Sequence, residues 1–306
     1  VVLLPGTGPV RRQELLAAGY SDAEVRAQLR TGRLLSVRPG SYLPAAARPD
    51  GPEAWHAAAV HATIVDLGAG SVASHASAAV LHGLPVWGLP LDRVQVTRSR
   101  RSGARRTASV DLHAAAIDPE EVEDVDGTPV TIVPRTVVGI ARSAPFEQAV
   151  AVADAALRTR ATTRAELEEW LVRARGRPGR PAARRAVAFA DGRAGSVGES
   201  RSRVAMWWAG IPVPVLQQPF VTGDGHRLGL VDFWWPEQRV VGEFDGLIKY
   251  GRLLRPGQTA GDAVVAEKRR EDLIRAEDVR FVRWCWDEIA PFDAVAGRLR
   301  HALRLG

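Results

Sequence analysis

The sixteen residues VDFWWPEQRVVGEFDG, 231–246, set three carboxylates inside an otherwise apolar run. Carboxylates are costly to bury unless they are paired or bind a metal, so Asp232, Glu243 and Asp245 call for a counter-charge. Strand side chains alternate faces, which puts Val241, Glu243 and Asp245 on one face and Val240, Gly242 and Phe244 on the other. The short Pro-Glu-Gln turn leads back along the preceding strand, so Asp232 is expected beside Glu243. Carboxylates that meet in a half-buried place raise one another's pKa, and a divalent cation removes that penalty. A few hard oxygens with room for water suit Mg2+ or Mn2+ better than zinc. Such a metal lowers the pKa of a bound water and stabilises negative charge that develops beside it. For Asp232 and Glu243 the competing reading is a buried salt bridge to Arg227 or Arg239. For Asp245, which precedes Gly246, it is a turn cap.

The flanking pattern supplies the elements that must position these acids. SVGESRSRVAMWWAGI reads as a helix, with Ser196 and Glu199 at capping-box spacing. VPVLQQPFV, HRLGLVDFWW and RVVGEFDG read as strands, DAVVAEKRREDLIRAE as a helix, VRFVRWCW as a final strand and 290–304 as a closing helix. Strands and helices interleaved in this way indicate a mixed α/β layer. Glu199 is then either a capping residue or an additional ligand beside the sheet. Phe233-Trp234-Trp235 puts aromatic side chains on both strand faces, one expected in the core and the other able to stack on a base.

An acid in one strand, about ten residues, then Glu-x-acid in the next resembles the restriction-endonuclease-like, PD-(D/E)xK, nuclease core. The stretch is similar to the branch near the very-short-patch-repair endonucleases. Arg270, Ile274, Val282 and Trp284 in EKRREDLIRAEDVRFVRWCWDEI extend the resemblance over residues 195–290. It implies a metal-dependent DNA endonuclease or nickase, with Asp232, Glu243 and Asp245 as Mg2+ or Mn2+ ligands and Glu199 as an outer ligand. Asp245 stands where the motif has Lys. Offsetting phosphate charge then falls to Lys249 or to Lys268, the two lysines of the chain. The missing Lys favours an alternative, a non-catalytic DNA-binding regulator or antitoxin on a degenerate nuclease fold.

At the other end, RRQELLAAGYSDAEVRAQLRTGRLLSVRPGSYL, 11–43, reads as two short helices and a hairpin. Gly19 ends the first helix, Ser21 and Glu24 open the second as a capping box, and Pro39-Gly40 turns the hairpin. These are the parts of a winged helix-turn-helix. Arg26, Arg30 and Arg33 lie on or just after the second helix, where a recognition helix meets phosphates. The segment resembles the N-terminal winged-helix domain of AbiEi-like antitoxins, which implies DNA binding or a regulatory contact. A small packing domain with solvated arginines is the alternative.

Residues 52–170 are Ala-rich. Two glycine-ended helices, strands in LDRVQVTRS, ASVDLHAA and GTPVTIVP, and two amphipathic helices are expected. TPVTIVPRTVVGIAR resembles a stretch of the same antitoxin-like proteins, with Gly139 where they carry Asp. His56, His61, His75 and His82 are spaced by five, fourteen and seven residues, which puts no two on one helical face, so structural roles are expected. RSRRSGARR, 98–106, has five arginines and no acid: a solvated turn or a phosphate-contacting arm. RGRPGRP, 175–181, looks like the core of an AT-hook, with Arg175 and Arg177 as minor-groove contacts; a helix–helix connector is the plainer reading.

The chain has 306 residues, 46% hydrophobic and 25% charged, as a globular protein of two or three domains would. A net charge of +6 suggests an acidic partner, most often nucleic acid, although an Arg- and Ala-biased coding sequence gives the same basicity. One cysteine, Cys285, argues against a disulfide framework or a multi-cysteine zinc site and suits a cytoplasmic setting. VVLLPGTGPV is too short and proline-broken for a signal peptide, and no membrane span is expected. The expected organisation is a mixed α/β chain: a winged helix-turn-helix over 1–48, an α/β middle domain over 49–174, a basic linker over 175–194 and a restriction-endonuclease-like core over 195–306. The expected partner is double-stranded DNA. Oligomeric state is left open, a dimer being one option.

Overall fold

Leu15, Val25 and Leu34 recur at intervals that let two short helices and a hairpin share one core. In the computed structural model they are buried together with Val10 and Tyr42. The described residues are 8–100, 103–223, 225–246 and 260–305. The chain divides into two compact units, Val1–Val152 with Ala161–Ala188, and Ala153–Arg160 with Phe189–Gly306. The class is mixed α/β. Among the described residues no helix is long and apolar enough to cross a membrane.

The first unit begins with β1 (Val10–Arg11), α1 (Arg12–Ala17), α2 (Asp22–Arg30), β2 (Leu34–Arg38) and β3 (Ser41–Pro44). The strands form an antiparallel sheet in the order β1-β3-β2. The capping box of α2 is formed: Ser21 Oγ accepts from the Glu24 amide at 3.2 Å, and the Glu24 carboxylate accepts from the Ser21 amide at 2.8 Å.

Next come α3 (Gly51–Leu67), β4 (Ser71–Ala73), α4 (His75–Leu81), β5 (Val94–Arg98), β6 (Arg105–Arg106), β7 (Val110–Ala114), β8 (Val122–Val125) and β9 (Thr128–Thr131). Their six strands run in the order β6-β7-β5-β4-β9-β8; β5 with β7 and β4 with β9 are parallel, the rest antiparallel. The β-branched Val94, Val96, Val110 and Val130 pack with Val60 and Ile64 of α3, as strand alternation requires.

VPRTVVGIARS, part of which reads as strand, forms the helix α5 (Val133–Ser143) with Pro134 in its first turn, where proline's missing N–H does no harm. α6 (Phe146–Arg158), α7 (Arg164–Arg173) and α8 (Arg180–Phe189) follow. The 175–194 segment is therefore not simply a linker, because α8 lies within it. At Gly179, φ is +78° and an added Cβ would stand 1.9 Å from the Arg142 carbonyl oxygen, so this connector needs glycine.

The second unit contains α9 (Val197–Trp208), β10 (Val215–Val221), β11 (Arg227–Trp235), β12 (Val240–Asp245), α10 (Ala260–Ala276), β13 (Arg280–Cys285) and α11 (Asp293–Leu303). Its sheet has the order β10-β11-β12-β13; the first three strands are antiparallel and β13 is parallel to β12. Phe233, Trp235, Val240, Phe244 and Trp284 pack with Met206 of α9 and Leu299 of α11. Val231 and Val241 pack with Phe220 and Ile274 of α10 in a second cluster. Each fully buried side chain of this size contributes about 1.5–3 kcal/mol. Gly198 lets α9 lie on Phe244, whose ring would be 1.9 Å from an added Cβ.

Two irregularities shape the middle of this sheet. β11 and β12 pair only from Phe233–Trp235 to Val240–Gly242. Gln217, between the pairs Leu216↔Phe233 and Gln218↔Val231, has φ +48°. Val231 and Phe233 would share a face in a regular strand, yet they belong to different clusters. Asp232 stands at that crossing.

Candidate functional site

Asp232 and Glu243 are 8% and 5% exposed, at the place where β11 and β12 part. Asp232 Oδ2 accepts from the Phe244 amide at 2.9 Å, past the last regular β11–β12 pair. Its Oδ1 accepts from Gln217 Nε2 at 3.0 Å. The same Nε2 donates to Glu199 Oε2 at 2.8 Å. Glu199, 6% exposed in the first turn of α9, also accepts from the Gly195 amide at 2.7 Å and the Ser196 hydroxyl at 3.0 Å. The capping reading of Glu199 is formed. It caps its helix, and one amide group joins it to Asp232.

Glu243 is answered by cations. Its Oε1 accepts from Arg270 at 2.5 Å and its Oε2 from Arg283 at 2.8 Å. Parallel register places Arg283 opposite Glu243, and Arg270 comes from α10. Burial opposes the Arg283 charge, but Glu243, Glu271 and Asp245 hold its pKa above the ordinary arginine value. The arginines expected from sequence do not play this part: Arg239 donates to the carbonyls of Glu277 and Asp278, and Arg227 is exposed. Asp245 is half-buried beside Gly246. Burial, then Asp245, pushes the Cys285 thiol up.

The expected set of Asp232, Glu243 and Asp245 is thus rearranged. The acid that shares a donor with Asp232 is Glu199, and Glu243 belongs to an ion-pair network. Among the described residues no group of three or more His, Cys, Asp or Glu is placed to hold a metal ion. Mg2+ needs fewer protein ligands than that, since it is held by one or two carboxylates with waters and substrate phosphates. Asp232 and Glu199 offer hard oxygens of the kind such an ion takes, each oxygen here accepting a hydrogen bond from a neutral donor. Glu243 does not fit while both its oxygens are held by guanidiniums.

The remaining candidates are dispersed. Lys249 lies outside the described residues, and Lys268 is exposed on α10. Arg26, Arg30 and Arg33 are exposed on and after α2, and Arg175 is exposed after α7. Arg177 lines a cavity of the first unit. Trp234 packs edge-on against Phe220 at 5.7 Å and is half-buried, so it is not a bare stacking platform. His56, His61 and His82 hydrogen-bond to Leu91 and Ser77, to Thr128 and to Thr131 respectively, as structural histidines do.

Gln217 and Arg283 carry site roles that were not legible in advance. The one available signal was the polar pair Gln217-Gln218 inside an apolar strand.

No family model matches the chain. The uncharacterized proteins MT2308 and Rv2248 of Mycobacterium tuberculosis are each 32% identical to it over 257 residues, 80% of this chain and 90% of theirs. The crystal structure of the RV2827C protein from Mycobacterium tuberculosis is similar over 70% of this chain and 84% of that one, with a TM-score of 0.40 and 16% identity. With identity spread over most of both sequences, the chain belongs to the family of MT2308 and Rv2248.

Proposed function

We propose that the chain is a DNA-binding protein whose second unit cleaves phosphodiester bonds with a divalent metal, as an endonuclease or nickase. The observation that carries this is the convergence of Glu199, Gln217 and Asp232, from a helix and two strands, at the parting of β11 and β12. A helix, three antiparallel strands, a further helix and a fourth, parallel strand also match the order expected of a restriction-endonuclease-like core. In the first unit, α1, α2 and β1–β3 support a winged helix-turn-helix reading, with Arg26, Arg30 and Arg33 turned to solvent for phosphate contacts.

Asp232 and Glu199 would hold Mg2+ or Mn2+, which supplies an activated water and charge stabilisation when bound. Without metal, Gln217 joins the two carboxylates at the position the ion would take, and the Phe244 amide fixes the orientation of Asp232. Arg270 and Arg283, held by Glu243, would offset charge on a phosphate where the motif Lys is missing. Lys268 suits a more distant backbone phosphate. On this reading Glu243 acts mainly by holding the two guanidiniums.

The grip of those guanidiniums on Glu243 favours a second reading. In it, the scaffold is degenerate and the chain is a non-catalytic DNA-binding regulator or antitoxin. Supercoiled plasmid incubated with Mg2+ or Mn2+ and either wild-type or Asp232→Ala protein separates the two. Nicked or linear product from the wild type alone, with duplex binding equal in a gel shift, is expected. Duplex binding with no product from either form would leave the second reading standing.

A further inference from the structure

Two arginine-rich stretches that the nuclease reading leaves unused, 98–106 and 175–181, meet at one cavity of the first unit. Its volume is about 660 Å³. Arg100 and Arg177, one from each stretch, line it together with Arg135 and Arg142 of α5. His75 and His113 share its wall, their rings 4.2 Å apart. No Asp or Glu is among the described residues that line it.

Among the described residues these charges are poorly answered. Arg135 is paired with buried Glu121 and donates to the Ala116 carbonyl. Arg142 donates from Nε to the neutral Pro178 carbonyl at 2.8 Å. Among the described residues, Arg100, Arg142 and Arg177 have no acidic partner. Burial, then the charge of Arg177, pushes Arg135 down to about 10 and lowers Arg142 as well. Burial, then His113, Arg142 and Arg135, pushes His75 down to about 3, so positive neighbours add to the effect of burial. His113 Nε2 is buried without a hydrogen-bond partner, and buried polar groups are rarely left so. His75 holds φ +52°, a left-handed backbone uncommon for a residue with a side chain.

We propose that this cavity binds a small phosphorylated ligand of nucleotide size, gripped by Arg100, Arg142 and Arg177, with His113 Nε2 donating to a phosphate oxygen. Cavities of roughly 300–1,000 Å³ hold small molecules. Several guanidiniums without acids ask for a compact ligand of multiple negative charge, and the guanidinium fork matches phosphate oxygens. A concave, two-histidine wall suits a small ligand better than the convex backbone of a duplex. The inference is independent of the nuclease reading.

Calorimetric titration of the full chain with inorganic pyrophosphate and with adenosine diphosphate, at about 0.15 M NaCl to screen loose ion pairing, tests it. Saturable binding is expected, weakened about tenfold or more in Arg100→Ala and Arg177→Ala, whose own melting temperatures stay at the wild-type value. The His113 imidazole nitrogen signal should shift during the titration. Equal affinities would assign recognition to the phosphates, and a tighter diphosphate nucleoside would extend it to the nucleoside; either supports the site. Absence of saturable binding, or binding indifferent to both arginine substitutions, would overturn it. So would a duplex whose binding needs Arg100 and Arg177 while neither small probe binds.

Discussion

The acids of the second unit and the arginines around the cavity of the first are both concentrations of one sign of charge, but they are answered in opposite ways. Glu243 meets two guanidiniums, Asp232 a backbone amide and a carboxamide, and Glu199 an amide, a hydroxyl and the same carboxamide. Of the arginines at the cavity, Arg135 alone has an acidic partner among the described residues. Charge density read along a sequence therefore says little about charge compensation. A compensated cluster is already stable by itself, whereas an uncompensated one leaves work for a ligand.

That contrast can be broken at its strongest point first. Glu243→Ala removes the carboxylate shared by Arg270 and Arg283 and leaves Arg283 with Glu271 at 3.0 Å. Removing one partner of a fully buried ion pair costs about 3–5 kcal/mol. These guanidiniums remain 21% and 27% exposed, so a loss of roughly 2–3 kcal/mol in urea unfolding is expected. A neutral result would mean that the arginines find solvent at no cost.

A pH series probes the opposite region. His75 is pushed from 6.5 down to about 3 by burial and by His113, Arg142 and Arg135. The unfolded chain takes up this proton first. The contribution to stability is thus complete above the ordinary value and declines as pH falls from 6.5 toward 3. At pH 5 the loss is at most roughly 2 kcal/mol, and His75→Asn should flatten the curve in that window.

Smaller effects sharpen the picture. Gln217→Met removes the donor shared by Asp232 and Glu199, with an expected cost of about 1 kcal/mol in the same unfolding assay. Arg100→Gln and Arg177→Gln relieve repulsion instead of leaving a partner stranded, so their stabilities should stay within about 0.5 kcal/mol of the wild type. A large destabilisation by either would reveal a structural partner and undo the contrast.

Local features were legible in the sequence. Period-two alternation located β11 and β12, and capping residues located the starts of α2 and α9. What escaped was long-range or ambiguous in period. GTPVTIVP reads as a strand to its last residue, whereas Val133 and Pro134 already belong to α5. Arg270 and Arg283 lie 27 and 40 residues beyond Glu243, brought back by a parallel strand whose register no local pattern encodes. Gln217 turns the pleat, so a regular strand could not foretell which face Asp232 would meet. The two arginine runs were each visible, while their meeting at one cavity depends on how α5 packs on α4 and α7.

The most direct measurement is a crystal structure of the protein with Mn2+ and a short DNA duplex, located by anomalous scattering. A manganese peak about 2–2.3 Å from oxygens of both Asp232 and Glu199, with Gln217 displaced from between them, is the predicted result. A map without that peak, with Gln217 still joining the two carboxylates beside bound duplex, would contradict the metal-dependent reading.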